Sequence, residues 1–190
     1  TTLLPMLGRI GGPAARKTIE AAIASRDAAT HETGLRALSN WPDATVASRL
    51  IQLAKTDPHS SHQTTALRAL IRIAPLPDDR SDSDRLELLR QAMSMSRRDE
   101  ERNLVLRRAQ AIRTPETLQF VLPYVSQPAH AAQACETVVE LAHHRGLREA
   151  NKAEFDRALD QVIATSENPT IIDRAQRYKK GQTWAAPITP

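Results

Sequence analysis

Two pairs of histidines are the candidates in this sequence for holding a metal ion or transferring a proton. His59 and His62 are three positions apart, and His143 and His144 are adjacent. Adjacent residues of a helix point about 100° apart, so His143 and His144 are poorly placed to share one ion. Neither pair has a third ligand near it in the sequence. We therefore predict no metal site and no cofactor.

An acidic stretch, Asp78, Asp79, Asp82 and Asp84, has the composition of a calcium loop but not its pattern. A calcium loop of the EF-hand type needs acids at alternate positions, a central glycine and a distal glutamate. This stretch lacks the glycine and the spacing. The simpler interpretation is that Asp84 caps a helix, with Glu87 as the partner of a capping box.

Nucleophilic chemistry has little support in the sequence. Cys135 is the only cysteine, which excludes a disulfide within the chain and a cysteine-based zinc site. Its helical, apolar neighbourhood indicates a small buried residue. There is no glycine-rich phosphate loop, no Gly-x-Ser-x-Gly and no zinc signature of paired His and Glu. We therefore predict that the protein is not an enzyme.

Arginine dominates the positive charge. The net charge is +4, from 26 basic and 22 acidic residues, and acids are interleaved with most of the arginines. That pattern is typical of solvated helix faces with local ion pairs. The alternative is a basic face that binds phosphates or carboxylates. The candidate residues for it are a dense stretch, Arg97, Arg98, Arg102 and Arg108, and two arginines that share a repeat position, Arg36 and Arg68.

The elements that must position these residues are helices, and they recur. The block Leu35-Arg36-Ala37-Leu38 returns as Leu67-Arg68-Ala69-Leu70, 32 positions later. Each block lies in a helical run that is followed by a break and a second helical run. Apolar residues follow the 3.6-residue period throughout, and no segment favours a strand. The predicted helices are 3–10, 13–25, 27–40, 43–55, one opening at Pro58, 84–96, 98–112, 115–126, 128–144, 147–166 and 169–180.

Caps and prolines set the predicted boundaries. Three helices open with a cap residue and then proline: Asp57-Pro58, Thr114-Pro115 and Asn168-Pro169. Asp43 is a predicted N-cap after the break at Trp41, which we interpret as filling a turn. Pro123 predicts a kink or an early end of its helix, and Gly181 a C-terminal cap.

The pattern resembles HEAT repeats, particularly the short bacterial type related to phycobilin-lyase repeats. The residues that carry the resemblance are His31 to Leu38, Pro42-Asp43, Leu50 to Ala54, Asp57-Pro58 and Ala66 to Leu70. It implies an all-α, right-handed α-α superhelix of about five helix pairs over 1–181, followed by a tail or linker, 182–190. Tetratricopeptide repeats need aromatic positions that are lacking here, whereas armadillo repeats stay open as an alternative.

This architecture implies a function in binding rather than catalysis. We expect a non-enzymatic protein-interaction scaffold that belongs to a larger bacterial protein. Its partner would be another protein or a neighbouring domain of the same chain. The alternative is binding of a nucleic-acid phosphate backbone by the basic helix face. No apolar run approaches the about 20 residues that span a bilayer, and the compartment stays open.

Two finer expectations concern single residues. When the two Leu-Arg-Ala-Leu blocks are aligned, His31 and His62 are one position out of step, so we expect no repeat-wide histidine site. In the tail, Trp184 follows a helix with an apolar stripe. We expect it to fold back and cover this terminal edge or the long helix 147–166, as a terminal repeat must hide its free face.

Overall fold

All regular structure in the described part of the chain is helical. The structure is a computed structural model that describes residues 3–184. Within these residues it contains twelve α-helices, two short 3-10 helices and no strand, which confirms the all-α prediction. The chain divides into two compact units, one that ends at Ser96 and one that begins at Arg97.

The first unit contains six α-helices. They are α1 (Leu4–Ile10), α2 (Pro13–Ile23), α3 (Ala28–Ser39), α4 (Ala47–Thr56), α5 (Ser60–Ile73) and α6 (Asp82–Met95), with a 3-10 turn at Ala44–Val46 before α4. Most consecutive helices pack against each other, as α2 does on α3 and α4 on α5. Alternate helices do so as well: α1 contacts α3, α3 contacts α5 and α4 contacts α6. Each helix is thus covered by its neighbours on more than one side.

The interior of this unit is made of aliphatic side chains at helical spacing. Leu35 and Leu38 of α3, Leu50 of α4 and Leu70 of α5 are all buried. Polar contacts also tie adjacent helix pairs together, and one of them involves backbone carbonyl groups. The Arg72 guanidinium of α5 donates to the backbone oxygens of Ser39 and Trp41, at 3.0 and 2.6 Å. It thereby satisfies carbonyl groups that the end of α3 leaves without a partner in the helix.

The second unit is organised around one central helix. Its helices are α7 (Asp99–Ala109), α8 (Pro115–Val121), α9 (Ala131–His143), α10 (Arg145–Ala150), α11 (Lys152–Thr165) and α12 (Pro169–Lys179), with a 3-10 turn at Leu122–Tyr124. Helix α9 contacts α7, α8, α10, α11 and α12. Its small residues, including Ala134, Cys135 and Ala142, are fully buried and leave room for these neighbours.

Several predicted helix boundaries are confirmed by hydrogen bonds. The side chains of Asp43, Thr114 and Asn168 accept bonds from backbone N–H groups of the turns that they precede. Helix α8 ends at Val121, just before Pro123, which confirms the early end. Gly181 has a φ of 70°, the left-handed conformation that a C-terminal cap requires.

Three boundary predictions are wrong, each because a polar side chain has a different partner. Helix α5 begins at Ser60, since the Asp57 carboxylate bonds to histidines and to the His59 N–H group. Ser81 is the N-cap of α6, and Asp84, which we expected to be the cap, is its capping-box partner. The predicted helix 147–166 is interrupted at Asn151, whose side-chain amide bonds to the Leu147 carbonyl.

The two tryptophans have different environments. Trp41 is buried, and its indole N–H donates to Asp43 and Thr45, which confirms that it fills the turn. Trp184 is half-buried, and the Arg174 guanidinium of α12 lies 4.8 Å from its ring centroid. The tail therefore returns to α12 at Trp184. The rest of the predicted tail, 185–190, lies outside the described residues.

Glycine at position 34 is required by the approach of α2 to α3. A Cβ atom there would lie 2.8 Å from the Ile23 nitrogen and 2.9 Å from Ala22 Cβ. We predict that Gly34→Ala lowers the free energy of unfolding by about 1–3 kcal/mol, the usual cost of overpacking. The matched control is Gly146→Ala in α10, where no atom lies within 4 Å and a stabilisation of about 0.5–1 kcal/mol is expected. Urea unfolding of both variants measures these changes in the free energy of unfolding, and equal changes in the two variants would contradict the prediction.

The contact of Trp184 with Arg174 predicts a modest role in stability. A cation–π pair at a partly exposed site contributes about 0.5–1 kcal/mol, less than the about 3–5 kcal/mol typical of a buried tryptophan. Trp184→Ala should therefore reduce the free energy of unfolding by about 1 kcal/mol. Trp184→Phe keeps an aromatic ring beside Arg174 and should therefore lose less of the free energy of unfolding than Trp184→Ala. A loss above 3 kcal/mol would show that Trp184 lies in the core.

Candidate functional sites

Three side chains from three successive helical elements meet in the first unit. His31 lies in the first turns of α3, Asp57 follows the last residue of α4, and His62 lies in the first turn of α5. We call these three residues the Asp57 cluster. The short connection from Thr56 to His59 turns the chain from α4 into α5, and because α3 packs on α5, the same turn lies beside α3.

Asp57 is the centre of the cluster. Its side chain is only 1% exposed, and both carboxylate oxygens have donors. The first, Oδ2, lies 2.9 Å from His31 Nε2. The second, Oδ1, lies 3.1 Å from His62 Nδ1 and accepts the backbone N–H of His59 at 3.0 Å. The backbone oxygen of Asp57 accepts from the Gln63 amide at 2.8 Å, so α5 holds this residue through main chain and side chain.

The histidine rings are held as firmly as the carboxylate. His31 Nδ1 lies 2.6 Å from the backbone oxygen of Ile23, at the end of α2. The His31 and His62 rings are stacked, with centroids 5.2 Å apart, and His59 meets His62 edge-on at 4.9 Å. His31 and His62 remain 18% and 15% exposed. The site is thus open to solvent on the side of the rings and closed behind Asp57.

Two opposing effects act on the pKa of Asp57. Burial removes water from the carboxylate and by itself raises its pKa. The hydrogen bonds from the His59 N–H and from His31, together with the electrostatic interaction with the His62 and His31 rings, act in the other direction and prevail. The pKa of Asp57 is lowered, so this buried carboxylate is charged at neutral pH.

The sequence alone did not bring these residues together. His59 and His62 were recognised as a pair without a third ligand, and the misalignment of His31 with His62 argued against a shared site. In the structure the offset of one position is absorbed by the rings, because His31 uses Nε2 and His62 uses Nδ1 toward the same carboxylate. The available signal was the spacing of about one repeat between two histidines, with an aspartate between them.

The second histidine pair forms no comparable group. His143 Nδ1 lies 2.9 Å from the Tyr178 hydroxyl, and the rings of His143 and His144 are 5.8 Å apart, nearly perpendicular. Burial and the positive charge of Arg113 lower the pKa of His144. Within residues 3–184, the Asp57 cluster is the only group of three side chains placed to hold a metal ion.

The candidate anion-binding arginines are divided between the two units, and two of them pair with acids. Arg36 pairs with Glu32 on its own helix, and Arg68 is exposed on α5. Arg98 holds both oxygens of the buried Glu101, and this ion pair raises the pKa of the arginine. Arg97 is exposed beside it, and Arg102 and Arg108 are half-buried. Acids therefore neutralise two of these positions locally.

Two other features could have carried chemistry. Cys135 is fully buried in α9, as expected, and burial raises the pKa of its thiol, which disfavours the reactive thiolate. A groove between the end of α8 and α11 is lined mainly by apolar and uncharged residues, including Leu122, Pro123, Gln161 and Ala164. No titratable side chain lines this groove, so it offers no acid or base for catalysis.

An exposed apolar stripe lies on α1 and the residue before it. Leu3, Met6 and Ile10 are 71%, 59% and 73% exposed, and they are the large hydrophobic residues that the described part of the chain leaves exposed. Their spacing places them on one face of the helix. The opposite face contains Gly8, which is buried against the backbone of Ala37 in α3. Helix α1 thus has one packed face and one free apolar face.

Comparison with known proteins identifies no relative of this chain. The chain matches no protein-family model and no curated protein at a significant level. No helix within residues 3–184 is both long enough and apolar enough to cross a membrane.

The geometry of the Asp57 cluster predicts a large contribution to stability. Asp57→Ala removes a buried carboxylate and the acceptor of three donors, so we expect the free energy of unfolding to fall by about 3 kcal/mol. Asp27→Ala is the matched control, since Asp27 is an exposed N-cap of α3 and its loss should lower the free energy of unfolding by clearly less. Urea unfolding followed by circular dichroism measures both. Equal losses would mean that the cluster adds nothing beyond a cap.

Proposed function

We propose that the chain is a non-enzymatic helical-repeat module of the HEAT type, whose function is to bind another protein or a neighbouring part of its own chain. The observation that carries this proposal is the apolar stripe of Leu3, Met6 and Ile10. Exposed apolar groups at helical spacing favour association with a further apolar surface, because burying each such side chain contributes about 1.5–3 kcal/mol.

The packing of the first unit supports a repeat origin for this stripe. Alternate helices contact each other, and Arg72 links one helix pair to the turn of the pair before it. In such a stack each pair covers the apolar face of its neighbour, and the face at the edge has no neighbour of its own. Helix α1 has such an apolar face, which no described helix covers.

Charge favours a particular kind of partner. Residues 3–19 include Arg9, Arg16 and Lys17 but no acidic residue, and all three basic side chains are exposed. A second copy would bring two positive surfaces together and is disfavoured. The partner that fits is an amphipathic helix whose apolar face is flanked by aspartate or glutamate. Such a helix would lie along α1 as an additional element of the stack.

The stripe also favours protein binding over binding of a phosphate backbone. A phosphate-binding surface gains affinity from arginine and lysine that release counterions. Two of the candidate arginines, Arg36 and Arg98, instead pair with acids of their own helix or turn. Three exposed apolar side chains contribute nothing to phosphate recognition. The nucleic-acid alternative therefore lacks an observation of comparable weight.

Photo-crosslinking in the host cell tests this function. A photoreactive amino acid replaces Met6 in the full protein, and the same amino acid at Glu87, exposed on α6, is the control. We expect a crosslink from position 6 to an acid-flanked helix of another protein or of a neighbouring segment. Adding Leu3→Ser and Ile10→Ser should lower its yield by more than about 10-fold, since two buried apolar side chains are lost.

The alternatives give different crosslinks. Products with a second copy of the chain, with lipid or with nucleic acid would each contradict the proposal, as would equal yields at positions 6 and 87. The serine substitutions lie at exposed positions, so the free energy of unfolding should change by about 0.5 kcal/mol or less. The variants should therefore stay folded. Circular dichroism of the purified variants checks this directly.

A further inference from the structure

We propose that His31, Asp57 and His62 form a binding site for one divalent transition-metal ion, and that Zn²⁺ fits it best. The site is independent of the apolar stripe on α1. It belongs to the first unit alone, and its ligands come from α3, from the turn after α4 and from α5.

The hydrogen bonds of His31 indicate that a positive charge belongs at this point. Its Nδ1 faces a backbone carbonyl and its Nε2 faces the Asp57 carboxylate, and both oxygens only accept. A neutral imidazole has a single N–H group and can satisfy one of them. The contact between Nε2 and Asp57 therefore requires either a second proton on the ring or a metal ion between the two groups.

Burial of Asp57 also favours a positive charge at this point. A carboxylate whose side chain is 1% exposed needs a compensating charge or full hydrogen bonding. No arginine or lysine is bonded to Asp57, whose partners are two histidine rings and one backbone N–H group. A divalent ion would supply the charge, and it would replace two ring N–H donors by two metal–nitrogen bonds.

The ligand set matches the preferences of zinc. Imidazole nitrogen and carboxylate oxygen bind Zn²⁺ at about 2.0–2.2 Å, and a tetrahedral ion separates its ligands by about 3.4 Å. One ligand atom from each residue lies within 4.8 Å of the other two. His31 Nε2 is 2.9 Å from one oxygen of Asp57, and His62 Nδ1 is 3.1 Å from the other. Small rotations of the rings therefore create the site. Two nitrogens and one oxygen leave a fourth position for water or for the exposed His59.

The surroundings of the ligands are those of a metal site. Metal-binding histidines usually donate the other ring N–H to a carbonyl or a carboxylate, which fixes the tautomer and the ring. His31 makes this bond to the Ile23 carbonyl, which leaves Nε2 as the metal ligand. The Gln63 amide fixes the backbone of Asp57 in the same manner. The two rings are partly exposed, so an ion can enter from solvent.

A bound ion would connect three elements that otherwise meet through hydrogen bonds. It would tie α3 to the turn between α4 and α5, and therefore one helix pair to the next. A ligand that binds only the folded chain stabilises it by mass action. Added Zn²⁺ should therefore raise the melting temperature of the metal-free protein.

Calorimetric titration of the purified, chelator-treated protein with ZnCl₂ tests the site. We expect one ion per chain in the wild type. Asp57→Asn and His62→Gln should each weaken binding by more than about 100-fold, beyond the 10–100-fold typical of losing an outer partner. The double variant His143→Gln/His144→Gln is the matched control, because it removes two histidines outside the cluster and should bind as the wild type does.

A third variant separates this site from a surface histidine pair. His59→Gln should weaken binding by less than about 10-fold if Asp57 is the centre of the site. Loss of binding in His59→Gln with full binding in Asp57→Asn would assign the ion to His59 and His62 and overturn the proposal. A wild type that binds no Zn²⁺ would show that a proton alone supplies the charge, and would overturn it too.

Nuclear magnetic resonance keeps the proposal testable if the Asp57 or His62 variants do not fold. In the wild type, Zn²⁺ should shift the ring nitrogens of His31 and His62 and leave those of His130 and His143 unchanged. Shifts confined to His143 and His144, or spread equally over all six histidines, would overturn it. These results are independent of what binds to α1, so the two proposals fail separately.

Discussion

The buried carboxylate of Asp57 is the constraint on which the first unit depends. A charged group that is removed from water must find donors or a counter-ion, and the cost of leaving it without them is several kcal/mol. In this chain the donors come from a ring on α3, a ring on α5 and the backbone between α4 and α5. Three helical elements are therefore placed by one side chain, whereas their apolar contacts alone would tolerate small shifts.

This polar centre works together with close apolar packing around α3. Gly34 lets the end of α2 approach α3, and Gly8 lets α1 approach it from another direction. The carbonyl of Ile23, at the end of α2, is the group that orients His31. The approach of α2 to α3 and the geometry of the Asp57 cluster are thus linked through this one residue.

Regular packing leaves two features of the first unit incompletely satisfied, and both proposed sites are located at them. Along α1 the feature is an apolar face, and at the Asp57 cluster it is a ring nitrogen and a carboxylate that need a positive charge between them. The arginines are a contrast. Arg36, Arg98 and Arg174 pair with neighbouring acids, so that much of the arginine excess is used within the fold.

The sequence by itself determined the elements and many of their limits. Helical periodicity, the caps at Asp43, Thr114 and Asn168, and the early end before Pro123 depend on interactions between residues a few positions apart. Only the tertiary structure decided the partner of Asp57, the true cap of α6 and the break at Asn151. In the first case Asp57 bonds to a ring 26 positions away, and no local sequence pattern indicates such a contact. The exposure of Leu3, Met6 and Ile10 could not be predicted from the sequence either, because an apolar stripe has the same sequence pattern whether or not a neighbouring helix covers it.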